Sequence, residues 1–283
     1  PGMGDDPADF VAIATHLLGI GLSPPRILAQ DLAQGFLLLE DLGDGLFARL
    51  ISDDPGLEDT MTGAAVDVLA HLQSSPPPPG LPDMTAADWA QAAELATLVY
   101  SPALGAATPP VQEITACLTD ALARHADGHR VLILRDYHAE NLLWLPERQG
   151  IARVGLLDFQ LGQMGQPLYD LVSLLQDARR DVPLQTEAAM LARFAAATGH
   201  SADPAAYAVL GAQRALRILG IVARIATEGR RPAYLRLLPR VWAHLQRNLA
   251  HPALARLSRL CEALPPPAPE ALRQIEDACS HKL

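Results

Sequence analysis

Residues 131–158 constrain this chain more than any other stretch. Val131 to Leu134 is rich in branched aliphatics and reads as a strand; Asp136 to Asn141 reads as a polar loop. Leu142–Leu145 and Val154–Leu157 read as two strands turning about Pro146 to Gly150, and Asp158-Phe159-Gln160 follows. Such a hairpin returns Asp158 to the side of Asn141, which itself lies five positions after Asp136. The first carboxylate can then orient and deprotonate a hydroxyl, while the amide and the second carboxylate hold magnesium against ATP phosphates. An Asp-x4-Asn spacing alone also fits an ordinary capped loop. The returning hairpin is what makes the pattern specific, because a shared cation needs both side chains together.

The remaining pattern frames this stretch. Residues 9–20 have helical apolar spacing, Arg26–Ala29 reads as a short strand, and Phe36–Glu40 is a continuous apolar run of the buried-strand type. Asp41-Leu42-Gly43-Asp44-Gly45 is a connector. Helices are expected over 46–51, 57–73, 86–99 and 110–125, with Pro76–Pro79 a stiff linker between them. From Tyr169 to about Asn248 the pattern is helical, and Pro265–Pro267 sets off a last short helix. Asp170 is placed either to cap the helix after Leu168 or to brace the catalytic loop through backbone hydrogen bonds.

Length and composition exclude several classes. At 283 residues, 49% of them apolar, the chain is globular and long enough for two lobes. A net charge of −10 argues against a nucleic-acid partner and fits a cytoplasmic enzyme or one accepting a cationic substrate, the small-molecule partner being read from the site. No continuous apolar run approaches the roughly 18–20 residues of a membrane span, and no signal peptide is evident. Cys117, Cys261 and Cys279 have no metal-ligand spacing and read as reduced structural thiols. Oligomeric state leaves no mark in the sequence.

Taken together, Leu134–Asn141, Leu157-Asp158-Phe159 and Tyr169–Leu175 resemble the aminoglycoside phosphotransferase/choline kinase-like superfamily, relatives of the protein kinases. Phe36–Gly43 is similar to the interlobe hinge of that family. The resemblance implies an α+β, protein-kinase-like bilobal fold. Residues 1–41 would be the remainder of a truncated small N-lobe and 42–283 a large, mainly helical C-lobe. More narrowly, Leu39–Asp44, Asp158-Phe159-Gln160 and Gly211–Arg214 through Leu219–Ile221 resemble bacterial kinases of N-acetylmuramate and N-acetylglucosamine. Those phosphorylate the anomeric hydroxyl in cell-wall recycling.

On that resemblance Asp136 is the catalytic base, Asn141 and Asp158 are magnesium ligands, and the backbone of Glu40 to Leu42 hydrogen-bonds adenine, with Leu39 flanking the pocket. His138 and Arg214 are candidates to meet substrate, against a loop-bracing imidazole and a solvated helix face. Arg214, Arg217 and Arg224 fall within about 80° of arc on one helix. Trp89, Trp144 and Trp242 read as core, with sugar stacking the alternative. Two features depart from the family. Leu134 stands where a histidine is usual, and the glycine-rich loop and strand lysine are absent, the one lysine being Lys282 and the nearest glycine pair Gly2-x-Gly4. A chain that starts partway into the small lobe explains this while Asp136, Asn141 and Asp158 stay intact; Asp9 is then the candidate partner of the missing lysine. An aminoglycoside or choline-type kinase and a non-enzymatic pseudokinase are the competing readings.

Overall fold

Helices and short antiparallel strand pairs alternate along the computed structural model, which describes residues 6–199, 201–229 and 231–280. Gly2, Gly4 and Lys282 lie outside the described residues. The first elements are helix α1 (Pro7–Gly19), strands β1 (Ile27–Asp31) and β2 (Phe36–Leu39), and helices α2 (Phe47–Asp53) and α3 (Glu58–Ser74). Helices α4 (Ala86–Ala92), α5 (Ser101–Ala103) and α6 (Val111–His125) follow. Then come strands β3 (Val131–Ile133), β4 (Leu142–Trp144), β5 (Val154–Leu156) and β6 (Gln163–Gly165). Helices α7 (Tyr169–Leu175), α8 (Leu184–Thr198), α9 (Pro204–Thr227), α10 (Leu238–Leu249), α11 (Ala255–Cys261) and α12 (Pro269–Ser280) complete the order. Two compact units result: Pro1–Asp83 with His129–Ala202, and Met84–Gly128 with Asp203–Leu283.

The first unit carries all six strands found among the described residues, as three antiparallel pairs, β1 with β2, β3 with β6 and β4 with β5. Its first helix starts at Pro7, two residues before the expected Asp9, because Asp6 accepts the Ala8 N–H at 2.8 Å and Pro7 has no N–H in need of an acceptor. Helix α3 buries Met61, Leu69 and Leu72 and is tied to α8 by a fork in which Arg193 meets both oxygens of Asp67 at 2.6 and 2.7 Å. Arg180 pairs with Glu58 and the Thr186 hydroxyl donates to Asp59 near the same helix.

Two expectations fail here. Phe36–Leu39 forms a strand but not a buried one: Phe36 is 66% and Leu38 60% exposed, because β1 is its sole strand partner and only one of its faces is partly covered. Strand β6 was not expected at all. Gln163-Met164-Gly165 has little β character and becomes a strand by pairing with β3, where Gly165 leaves room for the Ile133 side chain, 2.3 Å from where a Cβ would sit.

The second unit is helical. A capping box of Thr85 and Asp88 opens α4, but the helix expected to reach residue 99 stops at Ala92, and a π-type turn spans Ala96–Tyr100. The break gives α9 its seat: a Cβ on Gly220 would lie 2.2 Å from the Leu95 Cβ and 2.3 Å from its carbonyl carbon. The Gln213 amide donates to the Trp89 carbonyl at 2.8 Å, and the Tyr100 hydroxyl to the Pro265 carbonyl at 2.7 Å. Helix α9 is long and apolar enough by composition to cross a membrane, with a mean hydropathy of 1.3 over its most apolar window, although Gln213, Arg214 and Arg217 interrupt its apolar run. That window is 78% buried, as in the core helix of a folded unit.

Candidate active site

The catalytic loop is built by hydrogen bonds that the sequence places far apart. Asp170, the second residue of α7, is fully buried and accepts two main-chain donors, Leu134 N–H at 2.6 Å and Arg135 N–H at 2.9 Å. Leu168 occupies the cap position of α7, and its side chain makes no capping bond. The Asp136 N–H donates back to the Leu134 carbonyl at 2.9 Å, closing a tight three-residue turn around Arg135, whose φ is +71°. Asp158 has φ +55°, and these two are the only non-glycine residues with positive φ among the described residues. Each costs on the order of 1–3 kcal/mol and persists only where neighbours over-determine it. One directly precedes Asp136 and the other is a site residue itself.

Asn141 is the pivot. Its side-chain nitrogen donates to the Asp136 carbonyl at 2.9 Å and to Asp158 Oδ2 at 3.3 Å, and lies 3.4 Å from His138 Nε2. Its main-chain carbonyl accepts the Leu157 N–H at 3.0 Å, so the hairpin of β4 and β5 delivers Asp158 to it. With the amide nitrogen committed, Oδ1 of Asn141 remains as an oxygen donor beside the exposed Asp158 carboxylate, whose Oδ1 takes a hydrogen bond from Gln160 at 2.8 Å. No cluster of three or more His, Cys, Asp or Glu side chains suited to a metal exists among the described residues. Two hard oxygen donors with the remaining positions left to phosphate and water is the set that an oxygen-preferring divalent cation takes in nucleotide sites, so these residues fit such an ion.

The first unit thus gathers Asp136, His138, Asn141 and Asp158. His138 is 4% exposed, and its ring faces the Asn141 amide beneath the loop. Arg214 belongs to α9 of the second unit and is 6% exposed, so the solvated-face reading does not hold for it; Arg224, nearly three turns on, is exposed. Trp89 is core at 1% exposed, Trp144 stacks with the Arg153 guanidinium at 5.3 Å, and Trp242 stacks on Tyr100 at 6.3 Å. Asp9 is exposed on α1. Sequence reading assigned no role to Tyr137, whose buried hydroxyl donates to the Ala65 carbonyl at 2.9 Å, or to Phe10, stacked on Phe159 at 4.8 Å. Their partners lie on α3 and on the segment after β5, which no local pattern connects.

At the connector, Glu40 N–H donates to the Arg26 carbonyl at 2.8 Å, and Asp41 Oδ1 accepts the Gly43 N–H at 2.8 Å. The Glu40 carbonyl and the Leu42 N–H make no hydrogen bond among the described residues. Leu39 and Leu42 are half-buried, and Leu42 reaches strand β5, its Cδ1 3.3 Å from where a Cβ on Gly155 would sit. A free acceptor and, two residues on, a free donor complement one edge of adenine. A cavity of about 500 Å³ lies against the connector, lined by Glu40, Leu42, Trp144 and Arg148 among others.

Comparison with known proteins decides the family. The model of the phosphotransferase enzyme family matches residues 5–210, most of the chain and every residue of this site. The chain belongs to the phosphotransferase enzyme family. This phosphotransferase is 42% identical over 265 residues to an N-acetylmuramate/N-acetylglucosamine kinase of Caulobacter vibrioides, covering 88% of the chain and 72% of that relative. An N-acetylmuramate/N-acetylglucosamine kinase of Pseudomonas aeruginosa is 32% identical, with 94% of the chain and 80% of the relative covered. Among solved structures, a choline/ethanolamine kinase family protein from Mesorhizobium loti superposes with a TM-score of 0.57 at 19% identity, covering 98% of the chain and 85% of that protein. The fold is the protein-kinase-like fold of these kinases, and the chain is a kinase that uses ATP with a metal ion.

Proposed function

We propose that this kinase transfers the γ-phosphoryl group of ATP to the anomeric hydroxyl of N-acetylmuramate or N-acetylglucosamine. The observation that carries the substrate is the 42% identity, over most of the chain, to a kinase named for those two sugars. The geometry supports the chemistry. Phosphoryl transfer asks little covalent work of the protein; positioning and charge stabilisation supply the rate.

Asp136 stands at the end of the strained turn with its backbone held by Leu134 and Asn141, and its half-buried carboxylate would orient the acceptor hydroxyl and accept its proton. Asn141 Oδ1 and the Asp158 carboxylate would hold magnesium, which when bound neutralises charge developing on the phosphates. The Glu40 carbonyl and Leu42 N–H would hydrogen-bond adenine, with Leu39 and Leu42 supplying apolar contact. His138 and Asp170 keep the loop in place. On this reading the segment through Asp41 belongs to the smaller lobe and residues 42–283 to the helical lobe.

The test is a turnover screen with magnesium and ATP across N-acetylmuramate, N-acetylglucosamine, an aminoglycoside and choline, the product being identified by phosphorus NMR. The reading requires an anomeric phosphate from at least one of the two sugars. Turnover confined to the aminoglycoside or choline would replace the substrate and leave the site intact.

A further inference from the structure

In an antiparallel ladder, residues facing each other in a hydrogen-bonded pair exchange two bonds, each N–H meeting the other's carbonyl. Arg26 and Glu40 face each other one step beyond the β1–β2 pair, and only half of that exchange is made. Glu40 N–H donates to the Arg26 carbonyl at 2.8 Å. The return donor, Arg26 N–H, goes instead to the Glu40 side chain, to Oε2 at 3.1 Å. The same oxygen accepts Arg26 Nε at 3.1 Å, and Oε1 accepts Arg148 Nη2 at 2.8 Å from the β4–β5 turn. The carboxylate is 16% exposed although the Arg26 side chain is 66% and Arg148 30% exposed, so the Glu40 oxygens sit in a mostly covered place where charge-assisted bonds to them are strengthened.

We propose that the Glu40 side chain is a positioning residue that substitutes for its own main-chain carbonyl, leaving that carbonyl free to accept the exocyclic amine of adenine. The inference rests on the hinge reading given under Proposed function. Without the carboxylate, Arg26 N–H and the Glu40 carbonyl are an unsatisfied donor and acceptor directly opposite each other, and the ladder closes on itself. The acceptor is then spent on the protein. Adenine presents an amine donor and the N1 acceptor to the hinge, whereas hypoxanthine presents a carbonyl and an N1–H, the reverse polarity. Preference for ATP over ITP therefore reads out whether the carbonyl is free, and a merely structural role for Glu40 would not move it.

The experiment measures kcat and KM for ATP and for ITP, at saturating sugar, for the wild type, Glu40→Ala, Glu40→Asp and Glu40→Gln. In Glu40→Ala the KM for ATP is expected to rise about tenfold, kcat to change less than about threefold, and the ATP:ITP ratio of kcat/KM to fall about tenfold or more. Glu40→Asp, whose carboxylate is one methylene too short to reach Arg26 N–H, should lose the ratio likewise, and serves if the alanine variant does not fold. Glu40→Gln retains an amide oxygen for Arg26 N–H and should keep the ratio within about threefold of wild type. A wild type that prefers ATP, with either short variant retaining that preference, overturns this inference alone. A wild type with no preference for ATP overturns the hinge reading and the inference with it.

Discussion

Replacing Asp170 by alanine separates the support of the catalytic loop from its chemistry. The carboxylate is fully buried and takes the Leu134 and Arg135 N–H groups at 2.6 and 2.9 Å. In the variant both donors face a space with no acceptor. Hydrogen bonds to a charged group contribute about 1.5–3 kcal/mol each, so two amount to about 3–6 kcal/mol. Relaxation of the positive φ at Arg135 recovers about 1 kcal/mol of that. The expected net loss is about 2–5 kcal/mol, a fall in Tm of roughly 5–15 °C for a chain of this size. Asp136 follows the loosened turn directly, and a misplacement of about 1 Å costs on the order of 100-fold in kcat. Asp136→Ala is the control. Its carboxylate makes no hydrogen bond among the described residues, so activity should vanish while Tm stays within about 2 °C of wild type. The assay is a melt by circular dichroism with steady-state kinetics on the same samples. An Asp170→Ala protein that melts with the wild type, or keeps its kcat, refutes the bracing argument.

Gly220→Ala should cost about 2–3 kcal/mol or more by denaturant titration, because its Cβ would overlap the Leu95 backbone, which a rotamer change cannot move aside. Thiol titration of the folded protein near pH 8 should find one reactive cysteine, Cys279, and three after denaturation. Burial pushes the Cys261 thiol up to about 12, with Cys117 adding to it, and burial also raises Cys117. For Glu40, partial burial alone would raise the carboxyl, but the Arg26 N–H, the Arg26 guanidinium and Arg148 outweigh it and hold it below its ordinary value. A depressed folded pKa contributes stability that is complete above the unfolded carboxylate range and lost as pH falls through the folded value. The KM for ATP should accordingly be flat from about pH 5.5 to 8 and rise only on acidification below the usual carboxylate range.

The parts of this molecule written in short-range pattern were legible, and those that depend on distant partners were not. The β4–β5 hairpin and the connector at Asp41–Gly45 follow from alternation and turn residues at fixed offsets. The choice for Asp170 between cap and brace could not be made locally, since the deciding donors lie 35 and 36 residues away. Glu40 likewise meets Arg148 across 108 positions. Strand β6 exists because β3 needs a partner. The exposed side chains of β2 show the converse, an apolar run with too little packed on it. Arg214 looked like surface from its charge alone, and its burial reflects a helix that is apolar on most of its circumference.

Asp158→Ala decides whether Asp136, Asn141 and Asp158 form one phosphoryl-transfer site. Turnover of ATP with N-acetylmuramate or N-acetylglucosamine, whichever the wild type accepts, is measured at saturating magnesium, beside a melt that confirms the fold. Loss of one of two protein ligands to the cation should lower kcat by about 10²–10⁴-fold, with Tm lowered by only a few degrees, since the variant keeps the positive φ without the bonds from Asn141 and Gln160 but buries no unpaired charge. An Asp158→Ala protein that turns over at close to the wild-type rate contradicts the account.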